Sequence, residues 1–81
     1  MLDGNRMTAK IGIEFGARLR EIRQSKGIPQ ERLAELAGLD RTYISKIEKG
    51  QRNISLEIVA KLASALDIKV RDFFTDPNED S

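Results

Sequence analysis

Residues 30–49 read QERLAELAGLDRTYISKIEK, from Gln30 to Lys49. At helical period, Leu33, Ala34 and Ala37 fall on one face of a short helix, and Ile44 and Ile47 fall on one face of a second. Gly38-Leu39-Asp40 separates them. Glycine enters the left-handed region that ends a helix, Leu39 can plug the corner, and aspartate is a good N-cap for the helix that follows. The size of Ala34 matters, because two short helices crossing steeply at a three-residue turn leave no room there for a larger side chain.

This pattern predicts a helix-turn-helix, with Arg41 to Glu48 as the helix that enters a DNA groove. The plainer alternative is an ordinary helical hairpin in a small bundle. Small residues at the tight positions, apolar residues at the plugs and a polar, basic outer face favour DNA. With Ile44 and Ile47 inward, Arg41, Thr42, Ser45 and Lys46 point outward and Tyr43 lies at the edge. Arginine forks onto guanine O6 and N7, and threonine offers a methyl group to thymine together with a hydroxyl. Lys46 lies one turn beyond Thr42 and continues the same face along the groove.

Composition narrows the remaining classes. Eighty-one residues make one small domain with a modest buried fraction, which a dimer would relieve. Cysteine and histidine are absent, so disulfides, thiol nucleophiles, imidazole bases and the usual zinc sites are excluded. The chain has no apolar run of membrane-spanning length and no signal-peptide pattern, so the expectation is a soluble, cytoplasmic protein without membrane contact. The formal charge is only +1, but it is unevenly placed. Residues 1–53 hold eleven Lys/Arg against seven Asp/Glu, and residues 54–81 hold three against six. The positive half therefore carries the motif, as an electrostatic footprint for nucleic acid should.

Around the motif, residues 1–12 (MLDGNRMTAKIG) show two glycines and no sustained period, which predicts a flexible arm. Arg6 and Lys10 of that arm either reach DNA or are simply solvated. Residues 13–75 form the folded unit, and residues 76–81 are expected to be a disordered acidic tail. Phe15, Leu19 and Ile22 mark a first amphipathic helix, with Arg18, Arg20, Arg23 and Lys26 on its polar side. Pro29 suits a helix entry, and Gln30 in the following first turn can hold a phosphate through its side-chain amide and nearby N–H groups. Gly50-Gln51-Arg52-Asn53 reads as a loop able to lie along the DNA backbone. Ser55 is a natural N-cap for a fourth helix, with Ile54 and Val59 at staple spacing and Leu56, Val59, Leu62, Ala63 and Leu66 as its buried stripe. Val70 to Phe74 reads as a short fifth helix. Two adjacent phenylalanines cannot both face one small core, so one is expected at the surface as a subunit contact. The end of the fourth helix, at Leu66, and Phe73-Phe74 are the expected dimer surface.

FGARLREIRQSKGIPQERLAELAGLDRTYISKIEKGQRNISLEIVAKLASALDI, continuing into VRDFF, resembles the Cro/lambda-repressor type of helix-turn-helix regulator from Phe15 to Phe74. Within that family, LDRTYIS followed by QRNIS is similar to the controller proteins of bacterial restriction–modification systems. The resemblance implies an all-α, five-helix fold and a homodimer that binds a palindromic operator. It also implies activation or repression by occupancy, with RNA polymerase as a further partner and no cofactor. Arg41 and Thr42 would read bases with help from Tyr43; Arg52 and Asn53 would meet the backbone or minor groove, and Gln30 and Ser45 would contact phosphates. The resemblance further implies an ion pair between Arg23 and Glu48. Pro29 and Lys69 depart from the pattern, standing where small capping residues are usual.

The competing readings are a phage-type repressor, an antitoxin, or a protein-interaction module on the same fold. An enzyme is rejected, because the carboxylates are scattered at salt-bridge spacing and so small a domain offers no evident cleft.

Overall fold

A computed structural model describes residues 4–51 and 53–75. Four α-helices follow one another: α1 (Gly4–Ser25), α2 (Gln30–Ala37), α3 (Arg41–Glu48) and α4 (Leu56–Leu66). A single 3-10 turn, Val70–Phe73, stands where a fifth helix was expected. Four residues are too few to close a second α-helical turn, and the Lys69 N–H is held by the Asp72 carboxylate at 2.9 Å instead. The described residues contain no strand, so the all-α class holds with four α-helices in place of five.

The first helix begins at Gly4, earlier than the sequence suggested, so residues 4–12 continue α1 rather than forming an irregular arm. Ile11 lies one turn before Phe15 and extends the stripe Phe15–Leu19–Ile22 backward, and Lys10 and Glu14 pair at i, i+4. Gly12 does not interrupt this run. Residues 1–3 and the expected tail, 76–81, lie outside the described residues.

The helix ends follow from local chemistry. Gly38 closes α2 at φ +69°, and the Leu39 N–H reaches back to the Ala34 carbonyl at 2.8 Å. Asp40 then opens α3, accepting from the Thr42 N–H at 2.7 Å. Pro29 occupies the corresponding position before α2 without any side-chain cap. Ser55 caps α4 by accepting from the Ile58 N–H at 3.2 Å.

One core unites all five elements: Phe15, Leu19 and Ile22 from α1, Leu33, Ala34 and Ala37 from α2, and Ile44 and Ile47 from α3. It is completed by Val59, Leu62, Ala63 and Leu66 from α4, and by Phe73. The Phe15 and Phe73 rings meet at a 55° tilt with centroids 4.9 Å apart, and the Arg18 Nε and Nη2 groups donate to the Asp72 carbonyl at 3.3 and 3.2 Å. That arrangement corrects part of the expected dimer surface. Leu66 and Phe73 are 2% and 3% exposed within the chain itself, because both complete its core. The apolar side chains left outside include Phe74, 60% exposed, and Leu56, 84% exposed.

Two glycines set how closely helices approach. A Cβ built at Gly16 would overlap the Ile47 carbonyl oxygen and lie 2.8 Å from that of Glu48, so α1 crosses the end of α3 at backbone contact. Gly50, at φ +72°, has the Ile13 Cα within 2.8 Å of the same built position. The first helix thus holds α3 and its exit loop from behind.

Candidate nucleic-acid interface

Helix α3 is amphipathic over eight residues. Ile44 and Ile47 are sealed in the core, while Arg41, Thr42 and Lys46 are exposed and Ser45 is half-buried on the outer side. Tyr43 packs against the core edge. Asp40 satisfies the first turn through the backbone, so the side chains of Arg41 and Thr42 are left to project from the helix start. Together with Lys46 they make no hydrogen bond or ion pair to any described residue, and so present donors and positive charge outward. Lys49, exposed just beyond α3, adds a cation that sequence reasoning had not singled out. Its position one turn after Lys46 was the available signal.

Asn53 is exposed in the loop after α3, and Arg52 lies outside the described residues. Gly50 and Gln51 fold this loop back, their N–H groups bonding to the Ile47 and Lys46 carbonyls at 2.9 Å each.

At the opposite end of α3 the structure brings three of the singled-out residues together. Glu48 Oε2 accepts from Arg23 Nε at 2.6 Å, and Oε1 accepts from Arg23 Nη2 at 3.0 Å. Gln30 Nε2 also donates to Oε1, at 2.9 Å, and Arg23 Nη1 donates to the Ile28 carbonyl at 2.7 Å. The start of α2, the end of α1 and the end of α3 are thereby tied at one carboxylate. The bond from Gln30 had no signal in the sequence, since an amide at a helix start is most simply exposed. No buried side-chain polar atom among the described residues lacks a partner.

A mostly apolar groove runs between α1, the loop before α4 and Phe74, with Asn53 of the loop after α3 among its lining residues. Ile11, Phe15, Ile54, Leu56, Val59 and Phe74 line it, enclosing about 250 Å³. Among the described residues no group of three or more acidic side chains could hold a metal ion, and no helix is long and apolar enough to cross a membrane.

With a capped, outward-facing α3 set behind a small-residue turn, the chain belongs to the helix-turn-helix family, whose HTH_3 pattern matches residues 19–73. Its relatives include control proteins of restriction–modification systems alongside other helix-turn-helix transcriptional regulators. Control protein C.BamHI of Bacillus amyloliquefaciens is 46% identical over 67 residues, covering 82% of this chain and 83% of that protein. The restriction–modification controller protein C.AhdI of Aeromonas hydrophila is 56% identical and superposes with a TM-score of 0.75, over 76% of this chain and 94% of that one. The controller protein C.Esp1396I, solved as a tetramer in complex with its natural 35 base-pair operator, is 35% identical with a TM-score of 0.72, over 76% and 82% of the two chains. The family and these relatives are DNA-binding regulators rather than enzymes.

Proposed function

We propose that this chain is a restriction–modification controller protein, a transcriptional regulator that binds a palindromic double-stranded DNA operator as a homodimer. The observation that carries this reading is the Asp40-capped first turn of α3, which projects the side chains of Arg41 and Thr42, without partners among the described residues, from a helix whose back is sealed by Ile44 and Ile47. In this reading Arg41, Thr42, Tyr43 and Lys46 read bases. Gln30 and Ser45 hold phosphates, and Arg52 and Asn53 follow the backbone or minor groove. The homodimer forms through Phe74 and the groove it shares with Ile11 and Leu56, and bound dimers act on RNA polymerase by position. The closeness to C.AhdI and C.BamHI supports the controller reading over a phage repressor or antitoxin.

The test is selection from a pool of randomised duplexes by the purified protein, followed by sequencing. A palindrome with half-sites about one helical turn, ~10 bp, apart is expected. A pool that stays random after repeated rounds would rule out sequence-specific binding.

A further inference from the structure

The Glu48 side chain is only 3% exposed, and it ties the end of α3 to the start of α2, away from the turn that joins the two helices. Its pairing with Arg23 accounts for Oε2 and for one bond at Oε1. The third bond, from Gln30 Nε2, has a different consequence. An ionised carboxylate only accepts, so Gln30 must turn its nitrogen, not its oxygen, toward Glu48. A free glutamine amide presents either end to a ligand with little preference. Here the flipped orientation would set two oxygens against each other and is excluded. What Gln30 offers on its far side is therefore fixed as one remaining N–H beside its carbonyl oxygen. The Arg23 fork meanwhile offsets the Glu48 charge, which would otherwise repel a nearby phosphate.

The geometry points to Glu48 as a positioning residue for DNA binding: it holds the Gln30 amide in the orientation whose remaining N–H donates to the phosphate backbone. This rests on the reading of Gln30 as a phosphate contact. Glu48 itself touches no DNA. Its second function, beyond tying α1 to α3, is to decide which end of a neighbouring amide is presented.

A double-mutant cycle on DNA affinity tests it, using the wild type, Gln30→Ala, Glu48→Gln and the double variant, each first shown to be folded by circular dichroism and melting. The probes are the duplex enriched by the wild type and a scrambled duplex of equal length. Glu48→Gln keeps the shape but leaves one oxygen for three donors; with that oxygen kept on Arg23 Nε, the shortest bond at 2.6 Å, the new NH2 faces Gln30 and the Gln30 amide is no longer held nitrogen-inward. In the wild-type background Gln30→Ala should weaken both duplexes about tenfold, as loss of a hydrogen bond to a charged group does. In the Glu48→Gln background the same change should cost about twofold or less, because the contact is already largely lost. Equal losses in the two backgrounds would overturn the positioning role and leave Glu48 a purely structural partner. Unchanged affinity for Gln30→Ala alone would overturn it too, with the DNA-binding reading intact. A wild type that binds no duplex would remove that reading and this proposal together. Should Glu48→Gln fail to fold, the wild type suffices: NMR should show cross-peaks between the Gln30 amide protons and the Arg23 guanidinium protons that converge on one oxygen. Their absence would mean the amide is not held.

Discussion

Arg41 is the first residue of α3, directly after its cap Asp40, and its side chain is exposed and without a partner among the described residues. A bidentate fork from such a position to guanine discriminates against a wrong base by about 1–3 kcal/mol. Arg52, in the exit loop, supplies charge that any run of phosphates can use. Arg41→Ala should therefore weaken operator binding by about that amount, relax preference at one base pair per half-site, and leave binding to scrambled DNA nearly unchanged. Arg52→Ala should weaken both duplexes more evenly and lower the salt slope by about one. Titrating both variants against operator and scrambled duplexes at two salt concentrations separates the roles. Parallel losses for Arg41→Ala would make it a phosphate clamp instead of a base reader.

Between helices, the sharpest constraint is a missing side chain. Gly16 lets α1 cross the last turn of α3 at backbone contact, and the carbonyls of Ile47 and Glu48 cannot retreat without unwinding that turn. Gly16→Ala removes an entropic cost within a helix, which alone would favour folding by roughly 0.5–1 kcal/mol. The clash outweighs it. Overpacking of this kind costs about 1–3 kcal/mol, with the upper end expected where the obstacle is backbone, so a net loss of about 2 kcal/mol should appear as a lower denaturant midpoint. An unchanged midpoint would show that α1 slides aside freely. This contact also marks where the sequence stops being legible. Elements whose signals are local could be read: Gly38 and Asp40 bound α2 and α3 by their own backbone preferences, Ser55 caps α4, and Ile44 and Ile47 define a buried face by period. Gly16 leaves no pattern, because its role depends on a helix thirty residues away in the chain. The Gln30–Glu48 bond is equally non-local. Gly12, which suggests a break when read alone, is overridden by the stripe that Ile11 extends, and so α1 began earlier than its composition implied. Phe73-Phe74 shows that one ring must face outward without saying which, and the structure puts Phe73 and Leu66 in the protomer's own core and leaves Phe74 outside.

For the molecule as a whole, the proposed homodimer would place a second copy at the groove beside Phe74. Leu56 is 84% exposed, and Phe74, although its ring meets those of Phe15 and Phe73, is still 60% exposed; covering them in a two-fold pair would present two α3 helices to successive major grooves. Leu56→Glu should leave the helical content intact while shifting the protein to monomer in sedimentation. Operator affinity should fall by about 10²-fold or more as two linked half-site contacts become separate ones. A wild type that sediments as a monomer at micromolar concentration, both alone and on DNA, would sink the arrangement. The exposed side chains of Arg41, Thr42 and Lys46 have their own consequence. The side chains of Arg41, Thr42 and Lys46 make no bond to any described residue, whereas those of Arg23, Gln30 and Glu48 are knotted together. Sequence drift at the first three positions is nearly invisible to folding, so related chains can diverge toward different operators through many intermediate sequences that all remain folded. Two such regulators in one cell can become insulated from each other by changes on a single helix face, while the scaffold beneath stays the same.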